Sequence, residues 1–133
     1  MKRKRVVLLT VLMIVIGAVI AAAGLMSYAK KNLEQLAHTT ISEVDLSGLE
    51  DGVYTGSYKA FPVTAEVRVT VNNHRITEIE LAEHNNGQGA PAEVIPDKVV
   101  EEQTLGVEAV SGATYSSKVI LKAIENALES AAE

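Results

Sequence analysis

Hydrophobic and polar positions divide the chain into stretches with different periods. Val6–Ala29 is 24 residues without a single charge, preceded by the basic cluster Lys2-Arg3-Lys4-Arg5 and closed by Lys30 and Lys31. As a helix rising 1.5 Å per residue it would span roughly 36 Å, enough to cross a hydrocarbon core of about 30 Å. The pattern predicts a basic tail over 1–5, a transmembrane helix over 6–29 and a polar stalk over 30–48. Leu33, Leu36 and Ala37 could extend the helix beyond the membrane.

From Leu49 the pattern changes. Val53–Tyr58 reads as a short strand with a glycine irregularity at Gly56. Ala65, Val67, Val69 and Val71 alternate with Glu66, Arg68 and Thr70, the mark of a half-buried strand. Asn72-Asn73-His74 supplies turn residues, and Ile76, Ile79 and Leu81 follow. Residues 63–82 are therefore expected to form an antiparallel hairpin. His84 to Gly89 reads as a loop, Pro91 as a helix start, and Pro96 as an interruption or restart. Leu105–Val110 is strand-like. Val119, Ile120, Ala123, Ile124, Ala127, Leu128 and Ala131 recur at spacings of three and four, which predicts a C-terminal helix capped by Ser116 or Ser117. The expected fold class is α+β: a small antiparallel sheet packed against helices, preceded by one N-terminal transmembrane helix, with residues 49–133 as the folded domain.

Charge sharpens this division. Residues 1–31 carry six basic residues and no acidic one, whereas residues 32–133 carry six basic and 17 acidic, a balance of −11. The basic bias before the apolar run places the N-terminus in the cytoplasm and the folded part outside it, as a single-pass protein of the cell membrane. A cleaved signal peptide is the competing reading, with Ala21-Ala22-Ala23-Gly24 as small residues for a peptidase. The apolar run exceeds the usual 7–15 residue core of such signals, which favours a retained anchor. The chain has no Cys, which excludes disulfides and Cys-ligated metal centres. The acidic domain argues against nucleic-acid binding. The three His are scattered, no metal site is expected, and neither a nucleophile elbow nor a phosphate-binding glycine loop is present.

The residues with most chemical content are Ser111-Gly112-Ala113-Thr114, just before the last helix. Small residues let a ligand approach the backbone, and a helix N-terminus favours an anion. A tight turn with an ordinary cap accounts for the same residues. Together with Asp51-Gly52-Val53-Tyr54-Thr55-Gly56, the segment Val107-Glu108-Ala109-Val110-Ser111-Gly112-Ala113-Thr114-Tyr115-Ser116-Ser117 resembles the FMN-binding domain family. This family includes flavin-carrying subunits of the sodium-pumping quinone reductase and small membrane-anchored bacterial proteins. The resemblance covers roughly Leu49 to Leu128.

It implies FMN as cofactor, joined through its phosphate to Thr114 by a separate flavin transferase. Noncovalent FMN is the middle possibility. Ser111, Gly112 and Ala113 would shape the attachment turn, with Tyr115, Ser116 and Ser117 beside the phosphate. Glu108 stands where the family usually has Asp, one methylene shorter. Tyr54, Tyr58 and Tyr115 offer aromatic surface to the flavin ring. The 84–89 loop offers His84, Asn86, Gln88 and the glycines Gly87 and Gly89. No catalytic residue is assigned. With about 85 folded residues and one flavin, an electron-transfer carrier fits better than a complete enzyme. Its partner would be a membrane redox protein or a quinone-linked reductase. The alternatives are a flavin-free binding or structural module that keeps the fold, and a small flavin-dependent reductase.

Overall fold

A computed structural model describes residues 1–85 and 90–132. Its elements in chain order are helix α1 (Lys2–Ala37), strands β1 (Gly52–Ala60), β2 (Val63–Asn72) and β3 (Arg75–Asn85), helix α2 (Ile95–Glu102) and helix α3 (Thr114–Ala131). Short 3-10 helices lie at Leu46–Gly48 and Ala90–Val94. The three strands form one antiparallel sheet with β2 in the centre, and α3 packs against β1 and β2 while α2 packs against β3. This is the expected small antiparallel sheet against helices.

The alternation in β2 works as the period of a strand requires. Val63, Ala65, Val67, Val69 and Val71 are buried on one face, against Val119, Ile120, Ala123, Ile124, Ala127 and Leu128 of α3. Burying each Val, Leu or Ile contributes about 1.5–3 kcal/mol, so this layer supplies most of the fold's driving force. Asn73 and His74 both have positive φ, 51° and 61°, and join strands paired at Asn72 and Arg75. Two consecutive left-handed residues make the tight loop whose twist matches the strands. The Asp51 carboxylate accepts the Asn73 N–H at 2.8 Å and holds that loop.

Three local expectations need correction. β1 pairs with β2 in unbroken register, so Gly56 marks no irregularity; the register shifts lie between β2 and β3, at Glu66/Val67 and Thr70/Val71. Gly56 is instead where α3 approaches the sheet: a Cβ there would lie 2.2 Å from the Ala123 carbonyl oxygen and 2.3 Å from the Ala127 nitrogen. Leu105–Val110 is not a strand but irregular chain between α2 and α3. Finally, α3 starts at Thr114, before the serines expected to cap it. Pro96 does mark a restart, sitting in the first turn of α2 where the preceding 3-10 helix gives way.

Helix α1 is long and apolar enough to cross a membrane, and none of its most apolar window is buried in the fold. It continues without a break to Ala37, and Leu36 near its end is only 1% exposed, part of the core. The Lys118 ammonium donates to the Ala37 carbonyl at 2.6 Å, placing a cation at the helix's negative end. The chain beyond is strapped to the domain. Buried Glu125 accepts the Ser42 N–H at 2.9 Å and the Lys122 ammonium at 2.7 Å, and Glu43 accepts the Gly106 N–H at 2.9 Å. Leu49 is buried.

Candidate flavin-attachment site

The Ser-Gly-Ala-Thr segment folds as a tight turn running into a helix. The Ala113 N–H donates to the Val110 carbonyl at 2.9 Å, closing a four-residue turn over Val110–Ala113. Gly112, its third residue, has φ +81°. Positive φ at that position is the signature of a type II turn and favours glycine. A Cβ on Gly112 would meet nothing within 4 Å, so open space surrounds it and the requirement is conformational. Ser111, the turn's second residue, is exposed.

The turn delivers the chain into α3 with Ala113 as N-cap, which makes no side-chain cap bond. The leading N–H groups of a helix have no partner within it, so those at Thr114–Ser116 are available to an external acceptor. Thr114 is exposed, and Tyr115 is 41% exposed. Ala113 is buried beneath them. The result is a hydroxyl-bearing side chain on an exposed corner at the positive end of an 18-residue helix. These residues fit a phosphate joined to Thr114: a nucleophile-bearing side chain, free donors beside it and no steric cover over Gly112.

Ser116 and Ser117 both lie inside α3, so neither is its cap. Ser116 is 2% exposed and Ser117 is fully buried. Ser117 Oγ accepts the Val110 N–H at 3.0 Å and donates to the Ala113 carbonyl at 2.7 Å. It thereby bridges both ends of the turn. Ser117→Ala should leave the Val110 N–H without its partner and cost about 1–2 kcal/mol, read as a lower urea midpoint for the full chain in detergent. An unchanged midpoint would show that water replaces the hydroxyl.

The other expected residues lie on other elements of the chain. Glu108 is exposed on the irregular stretch leading to the turn. Tyr54 is half-buried on β1 and donates its hydroxyl to the Glu50 carbonyl at 2.8 Å, a bond to its own neighbourhood. Tyr58 lines a cleft of about 220 Å³ with Tyr28, Asn32 and Phe61, beside α1. Of the tyrosines considered, Tyr115 alone shares an element with Thr114. The His84 side chain is 2% exposed, and its Nδ1 lies 3.1 Å from the Glu93 carboxylate, linking β3 to the 3-10 helix. Asn86, Gly87, Gln88 and Gly89 lie outside the described residues. Two anchoring residues escaped sequence reading: Lys118, which ties α3 to α1, and Glu125, a buried acid within the apolar stripe. A charge inside an amphipathic stripe was the available signal for Glu125.

The chain is similar in sequence to two curated proteins. The chain is 31% identical over 101 residues to an NADH:acrylate oxidoreductase of Vibrio harveyi, covering 72% of this chain and 10% of that protein. It is 29% identical over 115 residues to a urocanate reductase of Eggerthella lenta, covering 85% of this chain and 19% of that protein. The chain thus spans a fifth or less of these curated relatives. The FMN-binding domain profile matches residues 62–129, from the β1–β2 loop into α3, and takes in the whole turn and Thr114; β1 and the Asp51–Gly56 element lie outside it. With half of its length matched in this way, the chain belongs to the FMN-binding domain family.

Proposed function

We propose that this protein is a membrane-anchored, extracytoplasmic flavoprotein that carries FMN in phosphoester linkage to Thr114 and relays electrons between a membrane redox partner and an acceptor. The observation that carries the reading is the exposed Thr114 hydroxyl, set at an uncapped helix N-terminus directly after the Gly112 turn. Attachment needs that oxygen to be reachable by a separate flavin transferase, and a turn in open space provides the access. Free N–H groups of the first helical turn then face the phosphate. Tyr115 is the aromatic neighbour placed to border the ring.

When bound, FMN supplies one- and two-electron redox chemistry; the protein supplies position and surroundings. Membrane anchoring is inferred from the uncharged run and the basic residues before it, which also put the N-terminus in the cytoplasm. The anchor raises the frequency of encounter with a membrane redox protein or a quinone-linked reductase. The curated relatives bear oxidoreductase and reductase names, and the stretch they share with this chain is a small part of each.

A flavin-fluorescent band that stays with the protein on a denaturing gel, and a native absorbance bleached by dithionite, are the expected results from a host with an active transferase. A folded, colourless protein beside a modified control domain would overturn the reading. Glu108 favours a second reading, a flavin-free module, because a longer acid stands at a position where the family usually has Asp. Glu108→Asp is expected to raise the fraction of modified protein at fixed transferase and time. Equal occupancy in the two proteins would show that the transferase accepts either acid.

A further inference from the structure

The two loops of the sheet differ in a way that the flavin site does not explain. The β2–β3 loop is Asn73-His74, polar and exposed. At the opposite end of the strands the β1–β2 loop is Phe61-Pro62, also exposed, with Phe61 at 41%. The Phe61 ring lies 6.0 Å from that of Tyr28, at 33° between planes, and Tyr28 is 57% exposed. The Asn32 side-chain amide donates to the Phe61 carbonyl at 3.4 Å, fixing the loop to α1.

Tyr28 gives this pair a position relative to lipid. If Val6 marks the inner edge of the hydrocarbon, about 20 helical residues bring the outer edge to the neighbourhood of residue 26. Tyr28 then lies roughly 3 Å beyond it, at headgroup level, where amphipathic aromatic rings are enriched. Phe61 is held at a similar level because it touches Tyr28. Lys30 and Lys31 follow on α1, and Lys59 stands two residues before Phe61; Glu34 is the acid on this part of α1. Lysines in this setting bury their stems and present their ammonium groups to lipid phosphates. A local basic and aromatic edge on a domain whose residues 49–133 carry a charge of −8 matches a bilayer interface better than bulk water.

We propose that the Phe61–Pro62 loop inserts into the outer interfacial layer of the bilayer that α1 crosses, and so holds the folded domain against the membrane in one orientation. This rests on the reading of α1 as a membrane span. Three points then fix the domain: α1 itself, the aromatic loop, and the Lys118 bond to Ala37, which ties the first turns of α3 to the end of α1. The flavin-attachment corner is thereby kept at a set height above the lipid.

The chain contains no Trp, so single-Trp variants report without background. The full-length protein is reconstituted in vesicles of phosphatidylcholine and phosphatidylglycerol, with plain or brominated acyl chains, and emission is compared between the two lipids. Ile20→Trp probes the span, Phe61→Trp the loop, and Val53→Trp the far end of β1, where Val53 is 62% exposed. The expected result is loss of emission in brominated lipid for Ile20→Trp and Phe61→Trp, a blue-shifted Phe61→Trp spectrum, and an unchanged Val53→Trp. Quenching of Ile20→Trp with Phe61→Trp unquenched would overturn the proposal and leave the span intact; the loop would then face water or a protein partner. An unquenched Ile20→Trp would remove the span and the proposal with it. Quenching of Val53→Trp would overturn the single orientation. Lys59→Trp repeats the loop measurement should Phe61→Trp fail to fold.

Discussion

Gly56→Ala is expected to unfold much of the domain. The added methyl would sit 2.2 Å from the Ala123 carbonyl oxygen, 2.3 Å from the Ala127 nitrogen and 2.7 Å from the Ala127 Cβ. Two of these three atoms belong to the backbone, so no rotamer change relieves the clash. Helix α3 must move off the sheet. That movement loosens Val119, Ile120, Ile124 and Leu128, all 1% exposed or less, from the β2 valines beneath them. Overpacking of this kind costs about 3 kcal/mol or more. For a domain of this size, the corresponding fall in Tm is roughly 12–24 °C. Gly48→Ala is the control, because a Cβ at Gly48 meets nothing within 4 Å. Thermal unfolding of the full chain in detergent reads both. A Gly56→Ala protein as stable as Gly48→Ala would mean that α3 does not cross β1 at that point.

The second large effect is chemical. Thr114→Ala should abolish the covalently held flavin while leaving the fold in place. Thr114 is exposed at the first position of α3, so truncation is expected to change stability by no more than about 0.5 kcal/mol. Thr114→Ser keeps a hydroxyl on the same corner and should retain flavin, at the same or lower occupancy. Flavin fluorescence on denaturing gels separates the two, and circular dichroism checks that both fold. The contrast with Ser117→Ala is informative. Ser117 is buried and bridges the turn, so its loss should lower stability, whereas the loss at Thr114 should fall on the cofactor. Persistence of covalent flavin in Thr114→Ala would place the attachment elsewhere.

Much of the fold could be read from periodicity. The valines of β2 alternate with polar residues because one face is covered and the other is not, and the three- and four-residue spacing in α3 records a single buried stripe. The Asn-His loop was legible because few residue types accept left-handed angles. What could not be read were contacts between elements distant in sequence. Gly56 looked like a flaw in a strand, because nothing near it in the chain reveals that α3 passes within touching distance. Ser117 looked like a cap, since a serine near a helix start usually is one; its burial and its bond to Val110 depend on how the turn folds back. Leu36 looked like part of a stalk, yet it is buried in the core. At the site, the motif located Thr114, and the turn type followed only from the Gly112 backbone angle and the Val110–Ala113 hydrogen bond. The surroundings of the tyrosines were not legible either, because a ring's position on a strand does not tell which groups from other elements it meets. Tyr54 bonds to Glu50, and Tyr58 faces α1.

Intact mass under denaturing conditions tests the central claim most directly. The protein is made in a host shown to modify a control domain, and the peptide spanning Ser111–Lys118 is then sequenced in the mass spectrometer. The expected result is a gain equal to FMN minus water, located on Thr114. An unmodified chain beside a fully modified control would contradict the covalent flavoprotein reading.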